Sequence, residues 1–195
     1  MTQGSEKRRA STETALLLID VQNSFFHPDG NNYYPETAAV LPNLHRLLDR
    51  ARASACLIIH TAEQHRANVD DFESAKLPPH CISGEWDSLF FEGFGPAGAE
   101  TEFLLAKRRM SAFFSTDLDL LLREKAVDRL VIAGVKANVC IRATVQDGFS
   151  LGYRCIVPRD AVNSNRPHLA DASLEDIDRY LGWVVPMEEA EEMLS

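Results

Sequence analysis

Short apolar runs of β character alternate with helical patterns along this chain, and that alternation leaves few folds open. Residues 15–19 (ALLLI), 56–60 (CLIIH), 101–106 (TEFLLA), 129–134 (RLVIAG), 154–157 and 183–185 read as six strands. Between them, Leu41, Leu44, Leu47, Leu48 and Ala51 recur at helical spacing, with Pro42 tolerable in the first turn. A second helix carries Leu118, Leu121, Leu122 and Lys125 behind a Ser115 or Thr116 cap, a third runs over about 138–151, and a fourth over 169–181. Strands joined through helices rather than hairpins predict a parallel sheet covered on both faces.

The 195 residues suit one domain, read as 15–195 behind a mobile polar tail of residues 1–14. Residues 61–100 form a long irregular stretch. It carries Trp86, Phe90, Phe91 and Phe94, so it reads as the wall or lid of a pocket rather than as a disordered linker. A net charge of -9 argues against nucleic acid or an anionic membrane as partner. No apolar run approaches the length of a membrane span, and the first residues lack the apolar core of an export signal. The four cysteines show no paired C-x-x-C spacing, so free thiols and a cytoplasmic location are expected.

Ligands of an open parallel sheet bind beyond the carboxyl ends of its strands. Three chemically able side chains are expected there: Asp20 after the first strand, Lys107 after the third, and Cys140 six residues after the fourth. If Asn138 caps the following helix, Cys140 sits in its first turn. There, unpaired amides and the helix dipole favour a thiolate and can hold an oxyanion. A low thiol pKa is the expectation. Cys56 and Cys155 lie in apolar strands and are assigned to packing, and His60 to a local hydrogen bond.

The segments LLLIDVQNSF (16–25), AKRRMSAFFSTDLDLLLR (106–123) and VIAGVKANVCIRATVQDGFSLGY (131–153) resemble the isochorismatase-like cysteine hydrolases, which include nicotinamidases and N-carbamoylsarcosine, biuret and ureido-amide hydrolases. The resemblance implies a three-layer α/β/α sandwich with a central parallel, Rossmann-like sheet. It implies Asp20 as general base, Lys107 as its cationic partner and Cys140 as nucleophile. It also implies a cis Val135–Lys136 peptide that offers the Lys136 amide, beside that of Cys140, to an oxyanion. Gln22, Phe25 and Trp86 are taken as substrate-pocket residues, Phe25 by its match to a nicotinamidase aromatic.

The reaction implied is C–N cleavage of a small carboxamide or ureido compound through a thioester, by a homodimer or homotetramer with no required cofactor. The alternatives are a nicotinamidase with a divalent, zinc-like metal, an isochorismatase-type vinyl-ether hydrolase, and a non-catalytic member. In the nicotinamidase branch the metal would fall to Glu63, His65 and His80. Glu63 stands where an Asp is usual, and the fourth ligand, a His in that branch, falls near Asp71.

Overall fold

A computed structural model gives the fold for residues 13–69 and 71–195. Seven strands are present: β1 Glu13–Ile19, β2 Leu57–Glu63, β3 Glu102–Lys107, β4 Val127–Val135, β5 Arg154–Pro158, β6 Val162–Asn163 and β7 Trp183–Val185. The helices are α1 Asn23–Phe26, α2 Leu41–Ala53, α3 Leu118–Glu124, α4 Arg142–Ser150, α5 Pro167–Asp176 and α6 Met187–Met193. The strand order is β3-β2-β1-β4-β5-β7, with β6 added on β4, and every pairing is parallel.

The side-chain alternation of β1 divides the core. Ala15, Leu17 and Ile19 pack with Leu118 and Leu122 of α3, Val145 of α4 and Leu174 of α5. Leu16 and Leu18 face the other way, onto Leu44, Leu47, Leu48 and Ala51 of α2 and onto Met187 and Ala190 of α6. The result is a three-layer α/β/α sandwich. From Ala15 to Ile19 both faces of β1 are fully buried, which explains why that sequence is a continuous apolar run rather than an alternating one.

Several boundaries differ from the sequence reading. Residues 1–12 of the expected tail lie outside the described residues, while Glu13 and Thr14 already belong to β1, paired with Val127 and Arg129. β2 runs on through Thr61, Ala62 and Glu63, because β3 supplies Leu105, Ala106 and Lys107 as partners. β6 and α6 are additional elements, and the helix expected over 169–181 begins at Pro167 and changes at Ile177 to a wider π turn. Among the described residues no helix is long and apolar enough to cross a membrane.

The chain leaves β1 toward β2 on one side and later returns to β4 on the other. The crevice beyond the ends of β1 and β4 is therefore the switch point where such sheets bind ligands. Gly134 makes the crevice close. It pairs with Ile19 at φ +117°, and a Cβ there would lie 2.2 Å from the Ile19 carbonyl oxygen.

Candidate active site

Asp20 follows β1 in the left-handed region, at φ 54°, a conformation that costs a non-glycine residue energy and turns the chain sharply out of the strand. Thr61 of β2 fixes its orientation twice. The Asp20 amide donates to Thr61 Oγ1 at 3.0 Å, and that hydroxyl donates to Asp20 Oδ1 at 2.7 Å. Lys107, the last residue of β3, reaches across with Nζ 2.7 Å from Asp20 Oδ2 and 3.7 Å from Cys140 Sγ. Its ammonium also donates to the Arg109 carbonyl at 3.2 Å. All three side chains are buried.

The Val135–Lys136 peptide is cis. The segment after it differs from the expected helix start. Lys136 precedes a π turn over Ala137–Ile141, and Asn138 sits inside that turn without capping it; its Oδ1 is buried with no hydrogen-bond partner. Cys140 is therefore near the beginning of the helical segment, yet its thiol is not acidified. Burial pushes it well above its ordinary value. Lys107 opposes this, and the Asp20 and Glu63 carboxylates reinforce it. Three ligand atoms, one each from Asp20, Glu63 and Cys140, lie within 4.8 Å of one another, so two carboxylates add to the effect of burial.

Asp20 is itself raised by burial, with Lys107 pulling it down and Glu63 pushing it up. Burial works against the Lys107 ammonium, but Asp20, Cys140 and Glu63 hold it above the usual lysine value. These directions hold a proton on the Cys140 thiol and keep Lys107 charged beside Asp20.

A cavity of about 290 Å³ opens onto Cys140. Its walls include Phe25, Glu63, His80, Met110 and Lys136. That volume is at the lower end of small-molecule sites and fits a compact ligand. A larger cavity of about 550 Å³ shares Glu73, Leu77 and His80 with it but is not lined by Cys140.

Of the expected pocket residues, Phe25 lines the cavity beside Cys140, whereas Gln22 and Trp86 do not. Gln22 is a clamp. Its Nε2 donates to the Glu63 and Ser88 carbonyls at 3.0 and 2.7 Å, and its Oε1 accepts from the Glu63 amide at 2.8 Å. Trp86 is half exposed, stacks edge-on to His27, and its carbonyl accepts from Asn23. Thr61 is a site residue that sequence reasoning misses; its place beside Asp20 depends on the β1–β2 register, which the strand pattern alone does not specify.

Glu63, His65 and His80 converge. His65 Nε2 and His80 Nε2 lie 3.3 and 3.4 Å from Glu63 Oε1. The outer nitrogens face acceptors, His65 Nδ1 toward Asp71 Oδ2 at 2.9 Å and His80 Nδ1 toward the Pro78 carbonyl at 2.8 Å. Both Nδ1 atoms must then carry hydrogen, which leaves both Nε2 atoms aimed at carboxylates. Such lone pairs need a proton or a cation between them and the oxygens. Asp71 is not a fourth inward donor but the support behind His65. Glu73, whose buried carboxylate has no hydrogen bond, lies 3.4 Å from His65 Nε2 and clusters with His65 and Asp71 rather than with Glu63 and His80. The Glu63 hydrogen bond, working against burial and aided by Asp71, holds His65 up to about 9. Two imidazoles and the Glu63 carboxylate, with each ring supported from behind, match the donor chemistry of a zinc-like ion.

Residues 14–189 match the isochorismatase domain family, and the chain belongs to that family of hydrolases. Among curated proteins it is similar to the ureidoacrylate amidohydrolase RutB of Serratia proteamaculans, 30% identical over 202 residues that cover 90% of this chain and 80% of that protein. Among solved structures it is similar to an isochorismatase-like hydrolase from Alkaliphilus metalliredigens, with a TM-score of 0.86, 29% identity and coverage of 94% and 100% of the two chains. It is also similar to the pyrazinamidase of Pyrococcus horikoshii in complex with zinc, with a TM-score of 0.80, 27% identity and coverage of 89% and 99%.

Proposed function

We propose that this protein hydrolyses a C–N bond of a small carboxamide or ureido compound, with Cys140 as nucleophile, Asp20 as proton carrier and Lys107 as their electrostatic partner. The observation that carries the reading is the chain of contacts from Asp20 Oδ2 through Lys107 Nζ to Cys140 Sγ, at 2.7 and 3.7 Å, at the end of the sheet beside a cavity. The similarity to an amidohydrolase over 90% of the chain supports it.

As Cys140 Sγ attacks the carbonyl carbon, Asp20 takes the thiol proton, which suits a thiol that is protonated at rest. Lys107 stays charged and steadies the negative charge that passes between sulfur and carboxylate. The backbone amides of Lys136 and Cys140 are assigned to the oxyanion. Asp20 then gives its proton to the leaving nitrogen, and the C–N bond breaks to leave a thioester. Water attacks the thioester with Asp20 again accepting a proton, which returns to sulfur as the acid departs.

Glu63, His65 and His80 are assigned to a divalent, zinc-like cation. The observation favouring this is the pair of Nε2 atoms facing carboxylates. Such an ion, when bound, orients and polarises a polar group of the substrate. The same reading carries a homodimeric or homotetrameric assembly in the cytoplasm.

Ammonia release from a panel of primary amides, ureido acids and nicotinamide tests the function. Release from at least one class, abolished with Cys140→Ala, is expected. Turnover of a vinyl ether with no amide turned over would instead favour the isochorismatase-type alternative.

A further inference from the structure

Lys136 does two things in this fold. Its backbone follows the cis peptide and is assigned to the oxyanion, and the residue lines the cavity that opens on Cys140 beside Phe25. The ammonium lies over two rings, with Nζ 6.0 Å from the Phe25 centroid and 5.3 Å from that of Tyr34. Among the described residues no carboxylate lies within 4.0 Å of it, although most other buried or half-buried cations here have one, as Lys107 has Asp20 and Arg52 has Glu102.

The ring platform is held in place. Tyr34 is buried, its hydroxyl donates to Asn163 Oδ1 at 2.7 Å, and Asn163 Nδ2 donates to the Glu36 carbonyl at 2.6 Å. Ring faces attract a cation but accept no ordinary hydrogen bond from it, so the ammonium keeps donors free. Burial costs the Lys136 charge something, and Cys140 and Glu63 only partly offset that through space. The cavity's own carboxylates, Glu63 and Glu73, are engaged or aimed at the histidines on the His65–His80 side. A second cation, Lys76, stands exposed at the rim. A half-buried ammonium on a fixed aromatic wall, with no acidic partner and open to the cavity, is a site for an anion brought by the ligand.

We propose that the Lys136 side chain binds a carboxylate of the substrate, so that the protein takes small amide or carbamoyl compounds that carry a carboxylate a short distance from the scissile bond. This rests on the amide-hydrolase reading of Cys140. The short spacing comes from one residue addressing both ends, with its amide at the reacting carbonyl and its ammonium at the anion. The cavity of about 290 Å³ sets the same limit.

The test is ammonia release from two matched pairs, N-carbamoylglycine and succinamate each against its methyl ester, by the wild type, Lys136→Met and Lys136→Arg. The wild type should prefer the acids. Lys136→Met should raise KM for an acid relative to its ester by about 10- to 100-fold, the range for a hydrogen bond to a charged group. Lys136→Arg should restore much of the preference, and circular dichroism should show all three folded. A lysine that only supports the fold would lower both members of a pair alike, leaving the ratio unchanged, and that result would overturn the proposal. So would a wild type that turns over the esters better than the acids, with the amidase reading left standing. If the wild type acts on neither pair, succinamate binding to Cys140→Ala is measured by calorimetry, with and without Lys136→Met. Binding lost with Lys136→Met would keep the anion site and count against the amidase reading, whereas no binding in either variant would overturn the anion site.

Discussion

Glu63 and Lys107 are register partners at the last paired positions of β2 and β3. The Glu63 carboxylate thereby belongs to two clusters. Its Oε1 lies 3.3 and 3.4 Å from His65 Nε2 and His80 Nε2 on one side, and on the other it has a ligand atom within 4.8 Å of those of Asp20 and Cys140. Burial works against its charge, but Lys107 and the two histidines hold Glu63 well below the usual carboxylate range. Glu63→Gln should therefore weaken metal uptake and lower turnover together, each by about 10-fold or more. Metal content and ammonia release on the same preparation check this. Loss of one without the other would separate the clusters.

The converging set Glu63, His65 and His80 predicts about one divalent ion per chain in gently purified protein. His65→Ala and His80→Ala should each lower that content, while Asp71→Asn should act more weakly because Asp71 only supports His65. Elemental analysis by mass spectrometry measures it. Metal-free protein that keeps full activity in chelator would remove the ion from the mechanism.

The raised Cys140 thiol predicts how it reacts. Alkylation of Cys140 by a small reagent should keep accelerating as the pH rises through 9, with no plateau near neutrality, because burial and two carboxylates hold the proton on sulfur. Cys81 and Cys155 are fully buried and should label more slowly still. Peptide mapping after timed labelling gives the profile. A plateau near pH 7 would mean a stable thiolate and a different charge balance.

His60 gives a stability prediction. It is buried against Phe90, with Nε2 3.4 Å from Glu102, and burial lowers its pKa to about 4 despite that carboxylate. The unfolded chain binds a proton near pH 6.5 that the folded chain refuses until about 4. The His60 contribution is thus complete above about pH 6.5 and lost as the pH falls toward 4, amounting to about 3 kcal/mol. Denaturant unfolding should show that fall in the wild type and a shallower one in His60→Gln. Equal slopes would place the pH dependence elsewhere.

The apolar runs of β1 and β4 and the positions of Asp20, Lys107 and Cys140 are legible in the sequence because strand ends in a parallel sheet define where a site forms. Other features depend on register and on loop paths that leave no periodic trace. Thr61 beside Asp20 is one, and Gln22 as a clamp on Glu63 is another. Glu73 lies in the long stretch that reads as a pocket wall or lid, where nothing sets it apart from its acidic neighbours, and only the course of the chain from Asp71 to His80 brings it to His65. Trp86 suggests a pocket wall through its size, but its ring packs on His27 outside the Cys140 cavity. A cap at Asn138 presumes an α-helical start where the chain makes a π turn.

The contact of Lys107 with both Asp20 and Cys140 makes the three one unit, and members of such a unit lose function non-additively. The most direct measurement is ammonia release by Cys140→Ala beside the wild type, Asp20→Asn and the variant lacking all three side chains, on whichever amide the wild type turns over. Cys140→Ala alone should lose on the order of 10³-fold or more, nearly as much as the triple variant, with the fold intact. A Cys140→Ala protein that releases ammonia at a rate near the wild type would contradict the assignment of Cys140 as nucleophile.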